Sequence, residues 1–286
     1  MVTDLRYWLL LQSIEGIGPV TFKTLIDKFS DPKLVFEAEA NELQTIPRFN
    51  QKIIDQLLRA KERLNEIDII LEQLRNRNIK VITFLDSEYP KQLRTISIRP
   101  PIIFLLKDIP EGRSVGIIGT RDTSQFGQEK ATEFAAELSK QGYIIVSGYA
   151  KGIDTAAHYG AVIAQGKTVA VLPTGIMKFR IREELSQITE EFFRQATIIS
   201  EFFPLDEWSV GNALARNRIT SALSDFILVV ESGDSGGTVN TVEQAKEQGK
   251  KVFLYKGINS SMDERIIALG AIPINSSKEL LVHLDT

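Results

Sequence analysis

The chain has no cysteine among its 286 residues and only two histidines. The first absence excludes disulfide frameworks, thiolate nucleophiles and cysteine-based zinc or iron–sulfur sites, and it suits a reducing cytoplasm. No apolar run reaches the roughly 18 residues that a membrane span needs. The N-terminus carries Asp4 and Arg6 and no small-residue cleavage site, so a cytoplasmic protein without membrane attachment is expected. Basic excess is lacking too. A formal net charge of −3 and a pI near 5.7 give no global field that would draw in a polyanion, so any nucleic-acid site must be local. No G-x-x-x-x-G-K-[ST] loop occurs, which argues against ATP hydrolysis. Neither His158 nor His283 has the partners of a nucleophile relay, and His158 is expected to pack or hydrogen-bond within a helix and sheet layer. No catalytic residue, metal ligand or cofactor is expected.

The length allows one α/β domain of about 170 to 200 residues plus a smaller module. From Leu5 to about Arg77 apolar residues recur at helical spacing with no strand-like alternation, so residues 1–78 are expected to form an all-helical module. Within it, Ile14-Glu15-Gly16-Ile17-Gly18-Pro19 fits a hairpin between helices. Its glycines and helix-starting proline can turn backbone N–H groups toward a phosphate, which makes Gly16 and Gly18 a candidate second contact. A helical turn that merely packs would read the same way. A second copy over Leu43 to Leu58 has Ile46-Pro47-Arg48-Phe49-Asn50 as its hairpin, lacks glycine and is read as structural. Residues 79–286 form the second domain, of which 79–113 are a leading extension. There Lys80–Phe84 and Ile102–Leu106 read as short strands of a connector.

From Ser114 onward, seven Val/Ile-rich runs alternate with helical stretches: SVGIIG, YIIVSG, TVAVLP, TIISEF, FILVVES, KVFLYK and AIPIN. This pattern predicts a Rossmann-like, mostly parallel, doubly wound sheet whose ligands sit at the carboxyl ends of its strands. The residues after those ends are small, hydroxylic or basic. Gly119, Thr120 and Arg121 follow the first strand, and Ser147, Gly148, Lys151 and Gly152 the second. Ser235-Gly236-Gly237-Thr238 opens the helix after the fifth. Glycines let a backbone approach an anion, and the free N–H groups of a helix N-terminus bind it. Arg216-Asn217-Arg218, in the helical stretch before the fifth strand, could supply guanidinium forks. The plainer alternative pairs those arginines with Asp225 or Glu231, and glycines after strands are common in any α/β protein.

The segment Ser147-Gly148-Tyr149-Ala150-Lys151-Gly152-Ile153-Asp154-Thr155-Ala156-Ala157-His158 resembles the S-G-x-A-x-G-I-D-x-x-A-H motif of the DNA-processing protein A family, also called DprA or Smf. Gly119-Thr120-Arg121, Arg216-Asn217-Arg218-Ile219 and Ser235-Gly236-Gly237-Thr238 stand in the family's order, as does the upstream Asp86, Tyr89-Pro90 and Leu93 passage. The resemblance implies sequence-independent binding of single-stranded DNA, a homodimer, RecA loading during natural transformation, and no catalysis. It carries over Gly119, Arg121, Ser147, Gly148, Lys151, Arg216, Asn217, Arg218, Ser235, Gly236, Gly237 and Thr238 as a phosphate-binding pocket and its rim. Two stretches depart from the family, Ile176-Met177-Lys178-Phe179-Arg180 and Tyr255 to Glu264, and both are expected at the pocket's far wall. Two other readings stand beside this one. Gly236-Gly237-Thr238 with Glu243 looks like a loosened loop of the LOG-type phosphoribohydrolases, which cleave nucleoside monophosphates. A protein-interaction module with a vestigial pocket is the other, with Phe192-Phe193 and Phe202-Phe203 as interface candidates or, more simply, core.

Overall fold

The structure, a computed structural model, describes residues 4–47, 49–234 and 236–285. Among the described residues nine strands form one sheet: β1 (Ile79–Thr83), β2 (Ile102–Leu106), β3 (Ser114–Ile118), β4 (Ile144–Ser147), β5 (Thr168–Val171), β6 (Ala196–Ser200), β7 (Phe226–Val229), β8 (Lys251–Tyr255) and β9 (Ile272–Ile274). Their order is β1-β2-β6-β5-β4-β3-β7-β8-β9. All pairings from β6 to β9 are parallel. Every residue of β3 to β7 is buried, as strands covered by helices on both faces must be, and this is why they read as continuous Val/Ile runs.

The chain builds outward from β3 through β4 and β5 to β6, then returns to the other side of β3 with β7. The order therefore reverses between β3 and β7, and the connections leaving their carboxyl ends part there to open a crevice. Residues 80–84 and 102–106 are more than a connector. β1 and β2 pair antiparallel, and β2 runs antiparallel to β6 with Phe104 opposite Ser200, so they extend the sheet.

Helices Leu5–Gln12, Pro19–Phe29, Gln51–Arg59 and Leu64–Asn76, with the short Pro32–Val35 and Ala40–Gln44 and the 3-10 turn Ala60–Arg63, make up the N-terminal module among the described residues. Pro19 stands in the first turn of its helix, and the Asn50 side chain accepts from the Ile53 N–H at 3.0 Å to cap another. Trp8, 2% exposed, packs 5.3 Å from the Phe22 ring and edge-on to Phe84 at 5.5 Å, beyond the end of β1. One apolar cluster runs from Trp8 and Leu25 through Ile103 to Val169 and Ile219, so the helices and one face of the sheet share a core. The Gln12 side chain adds a polar tie, donating to the Glu201 carbonyl at 2.7 Å.

Candidate functional site

The crevice between β3 and β7 is built by backbone that only small residues permit. A Cβ on Gly119 would lie 2.5 Å from Ile153 and 2.6 Å from the Glu231 carbonyl, so the turn after β3 can close on the turn after β7 only with glycine there. The Thr120 N–H donates to that same carbonyl at 2.8 Å. Gly152 adopts φ +87°, and a Cβ on it would sit 2.5 Å from the Thr120 carbonyl; from there the helix Ile153–Ile163 begins. The third wall is the helix Gly237–Glu247. Gly236 precedes it at φ +72°, no described residue stands within 4 Å of where a Cβ would be on Gly236 or Gly237, and Gly237 and Thr238 line the cavity, so the helix start is uncrowded there.

The helix Val210–Ala222, capped by the Ser209 hydroxyl at 3.0 Å from the Asn212 N–H, closes the fourth side. Arg216, 4% exposed, donates from one guanidinium nitrogen to the carbonyls of both Gly148 and Val171 and so ties the ends of β4 and β5. Burial pushes its pKa down to about 10 while the Asp154 charge opposes the shift, so Arg216 remains a cation at neutral pH. Asp154 is buried beside it and accepts from the Ala150 N–H at 3.2 Å. Burial raises the pKa of this carboxyl, and Arg216 acts against the rise. Asn217 donates to Asn240 Oδ1 at 3.0 Å and to the Gly237 carbonyl at 3.3 Å, fixing this helix to the start of Gly237–Glu247.

The result is a cavity of about 210 Å³ at the crest of the sheet. Gly119, Arg121, Gly148, Arg216, Asn217, Gly237 and Thr238 line it, together with Asp154. Its outer lip is Trp208, Val210 and Leu214, which are 48%, 62% and 39% exposed. The Arg121 guanidinium lies over the Trp208 ring at 5.3 Å, a cation–π contact across the mouth. No motif in the sequence marks this lip. The available signal was a tryptophan, one of two in the chain, in a polar loop just before a serine helix cap.

Other expected residues lie elsewhere. Arg218 does not face this cavity. It forms a fork on the Glu201 carboxylate with both side chains under 10% exposed, and it also donates to the Ile98 carbonyl at 2.6 Å. The pairing with Asp225 or Glu231 is absent as well. Asp225 accepts from the Ser114 N–H at 2.7 Å, and Glu231 accepts from Thr123 and Ser124. Ser147 is fully buried and its hydroxyl donates to the Ile117 carbonyl at 2.6 Å, so it stitches β3 to β4. Lys151 is exposed and lines no part of the cavity, and Gly236 stands just outside it. Ser235 and Arg48 lie outside the described residues. Gly16 and Gly18 border a different cavity, of about 690 Å³, between the helical hairpin and the Val210–Ala222 helix.

Neither divergent stretch forms the far wall. Met177 is buried with its N–H on the Pro204 carbonyl at 3.1 Å, and Lys256 is paired with Asp263 at 3.0 Å. His158 packs as expected. Its Nδ1 lies 2.7 Å from Thr168 Oγ1, whose proton goes to the Ile145 carbonyl at 2.8 Å, so Nδ1 carries the imidazole proton. Burial drives its pKa down to about 3. Phe192 is core, Phe193 is 39% exposed, and Phe202 and Phe203 are half-buried.

A doubly wound sheet with a glycine-built, cation-bearing cavity at its switch point, preceded by a hairpin-containing helical module, is the class of protein that these features define. The chain belongs to the DNA recombination-mediator protein A family, whose model matches residues 80–285, and residues 9–61 match a SAM-like helix-hairpin-helix tandem. It is 32% identical to the protein Smf of Synechocystis over 99% of this chain and 73% of that one. It is 30% identical to the DNA processing protein DprA of Bacillus subtilis, covering 85% of this chain and 84% of that one. The X-ray structure of DNA processing protein A from Streptococcus pneumoniae shares the fold over 98% of both chains, with a TM-score of 0.74 at 24% identity. The Helicobacter pylori protein, solved for its single-stranded DNA binding mode, superposes over 72% of this chain and 95% of its own, with a TM-score of 0.62 at 24% identity. Among the described residues no helix is long and apolar enough to cross a membrane.

Proposed function

We propose that this chain binds single-stranded DNA in a largely sequence-tolerant way, with a backbone phosphate seated in the crest cavity. The carrying observation is the conjunction, at one switch point, of an open helix N-terminus at Gly237 and Thr238, the Arg121 cation, and an exposed Trp208 across the mouth. A phosphate fits the N–H groups and dipole of that helix end and takes a bidentate fork from Arg121. Once it does, Trp208 is left with a free face at the lip, where a base can stack whatever its identity. Arg216 acts one layer down. Two of its donors are committed to strand-end carbonyls, so its charge enters the cavity while its geometry holds the walls. The family's description as a recombination mediator fits a protein that delivers single strands to RecA, and we extend the proposal to RecA loading during natural transformation by a homodimer. Gly119, Arg121, Gly148, Arg216, Asn217, Gly237 and Thr238 belong to this proposal as the pocket, with Lys151 and Gly236 beside it.

The phosphoribohydrolase reading has less support. Glu243 points away from the cavity, ion-paired at 3.0 Å with Arg265 on the outer surface. Release of free base from AMP that depends on Glu243 would restore that reading. The direct test is fluorescence anisotropy with labelled oligo-dT, single against double stranded. Tight binding of the single strand is expected, and Arg121→Ala should weaken it and reduce the slope of log affinity against log salt by about 0.7. An unchanged affinity and slope in Arg121→Ala would remove the phosphate from the crest.

A further inference from the structure

The larger cavity beside the crest has no role so far. It lies between the hairpin at Gly16 and Gly18 and the sheet, and its volume of about 690 Å³ falls in the range of small-molecule sites. The helix Val210–Ala222 divides it from the crest cavity: Ala213, Arg216, Asn217 and Thr220 face the crest, whereas Asn212, Ala215 and Arg218 face the hairpin. Leu214 lines both, exposed on the ridge, and the Asn217 to Asn240 hydrogen bond joins the two walls below it. A chain leaving the crest over Leu214 therefore enters the second cavity directly.

The two cavities differ in charge. The crest carries Arg121 and Arg216, but the second cavity offers no unpaired cation among its described lining residues. Arg218 is spent on Glu201, and both oxygens of Glu201 are spent on Arg218. What remains is the half-buried Asp206 carboxylate, whose pKa burial raises and a bond from the Phe203 backbone lowers. Ionised, it accepts that bond and keeps further lone pairs for a second donor, and Phe22, Phe202, Phe203 and the amides of Asn212 and Gln244 stand around it. A phosphate would meet repulsion there. A flat, partly apolar group carrying N–H donors would not.

We infer that this cavity takes a nucleobase bearing an exocyclic amino group, from the nucleotide next to the one whose phosphate occupies the crest, with Asp206 accepting from the amine. The inference rests on the proposed binding of single-stranded DNA. It adds a modest preference to a sequence-tolerant grip. Cytosine presents an N4 amine where thymine presents the O4 carbonyl, so the amine gains an acceptor and the carbonyl faces a carboxylate.

The test compares labelled oligo-dC with oligo-dT by anisotropy on the full chain. Oligo-dC is expected to bind about three- to tenfold tighter, the worth of one such hydrogen bond. Asp206→Asn keeps the side chain's shape and can donate as well as accept, so the two affinities should converge. Ala215→Trp, at an exposed position, fills the cavity and should remove the preference, so that the ratio of the two affinities falls to about one. Equal affinities for the two oligomers in the unmodified chain would overturn the inference, as would a preference that survives Ala215→Trp; equal affinities are also the outcome if the cavity instead receives a protein segment. Failure of both oligomers to bind would sink the DNA reading itself.

Discussion

Arg216 and Arg218 stand two positions apart on one helix, so their side chains leave it about 200° apart. One reaches the crest carbonyls and the other reaches Glu201 at the end of β6. In the sequence they form a symmetric Arg-Asn-Arg motif, and nothing local separates them. Glu201 settles the matter through a tertiary contact that no spacing rule encodes. Replacing Arg218 by Ala leaves a buried carboxylate uncompensated and should cost about 3–5 kcal/mol of stability, read from urea denaturation. Binding of oligo-dT, measured well below the melting temperature, should stay within about threefold of the unmodified chain. A large loss of affinity in a still-folded Arg218→Ala protein would put Arg218 back among the DNA contacts.

His158 gives a pH signature at the same scale. With a folded pKa of about 3 against an ordinary 6.5, the unfolded chain takes up a proton that the folded chain refuses. The neutral imidazole therefore costs no stability above pH 6.5, and stability falls as the pH drops from 6.5 toward 3, by up to about 1.4 kcal/mol per pH unit. Asp154, whose folded pKa is raised, contributes with the opposite sign through its own titration range. A His158→Gln variant isolates the histidine: its urea midpoint should change less between pH 7 and pH 5 than that of the unmodified chain. Identical pH dependence in the two proteins would contradict the assignment of a buried neutral imidazole.

At the level of elements, the strands were readable because burial on both faces leaves continuous Val/Ile runs, as in SVGIIG and FILVVES. The glycine-bearing loops were readable because their backbone leaves no alternative. What stayed hidden was pairing. β2 reads like any buried strand, but its antiparallel neighbour β6 is about ninety residues away, and the sequence of β2 does not name it. Trp208 stayed hidden for a related reason: its value comes from facing Arg121 across the cavity mouth. The helix and loop geometry predicts a contrast between two glycines of similar φ. Gly152→Ala adds left-handed strain and drives a Cβ to 2.5 Å from the Thr120 carbonyl, so it should destabilise by more than about 2 kcal/mol and weaken oligo-dT binding by shifting Arg121. Gly249→Ala, at φ +69° with open space around it, should cost only about 1 kcal/mol and leave binding alone. Equal effects of the two substitutions on binding would mean that the turn after β3 does not position Arg121.

For the whole molecule, the acidic net charge is compatible with the proposed phosphate site because the crest concentrates two cations in a small cavity, with Asp154 in its floor. The larger surprise concerns the helical module. Sequence reading divides the chain near residue 78, between the helix Leu64–Asn76 and β1, which opens at Ile79. The apolar core ignores that boundary, passing from Trp8 to Phe84 and on to the face of the sheet. Removing the first 77 residues would uncover buried Ile and Leu side chains, so truncation would confound loss of a DNA contact with loss of stability. A shared core predicts one cooperative transition instead. In a Trp208→Phe background the only tryptophan is Trp8, which reports the helical module, while far-ultraviolet circular dichroism reports all helices and strands. The two urea curves should coincide in midpoint and slope. If Trp8 fluorescence melts at clearly lower denaturant than the dichroism, the module is an independently folding unit. Truncation would then become the cleaner way to ask what its hairpin contributes.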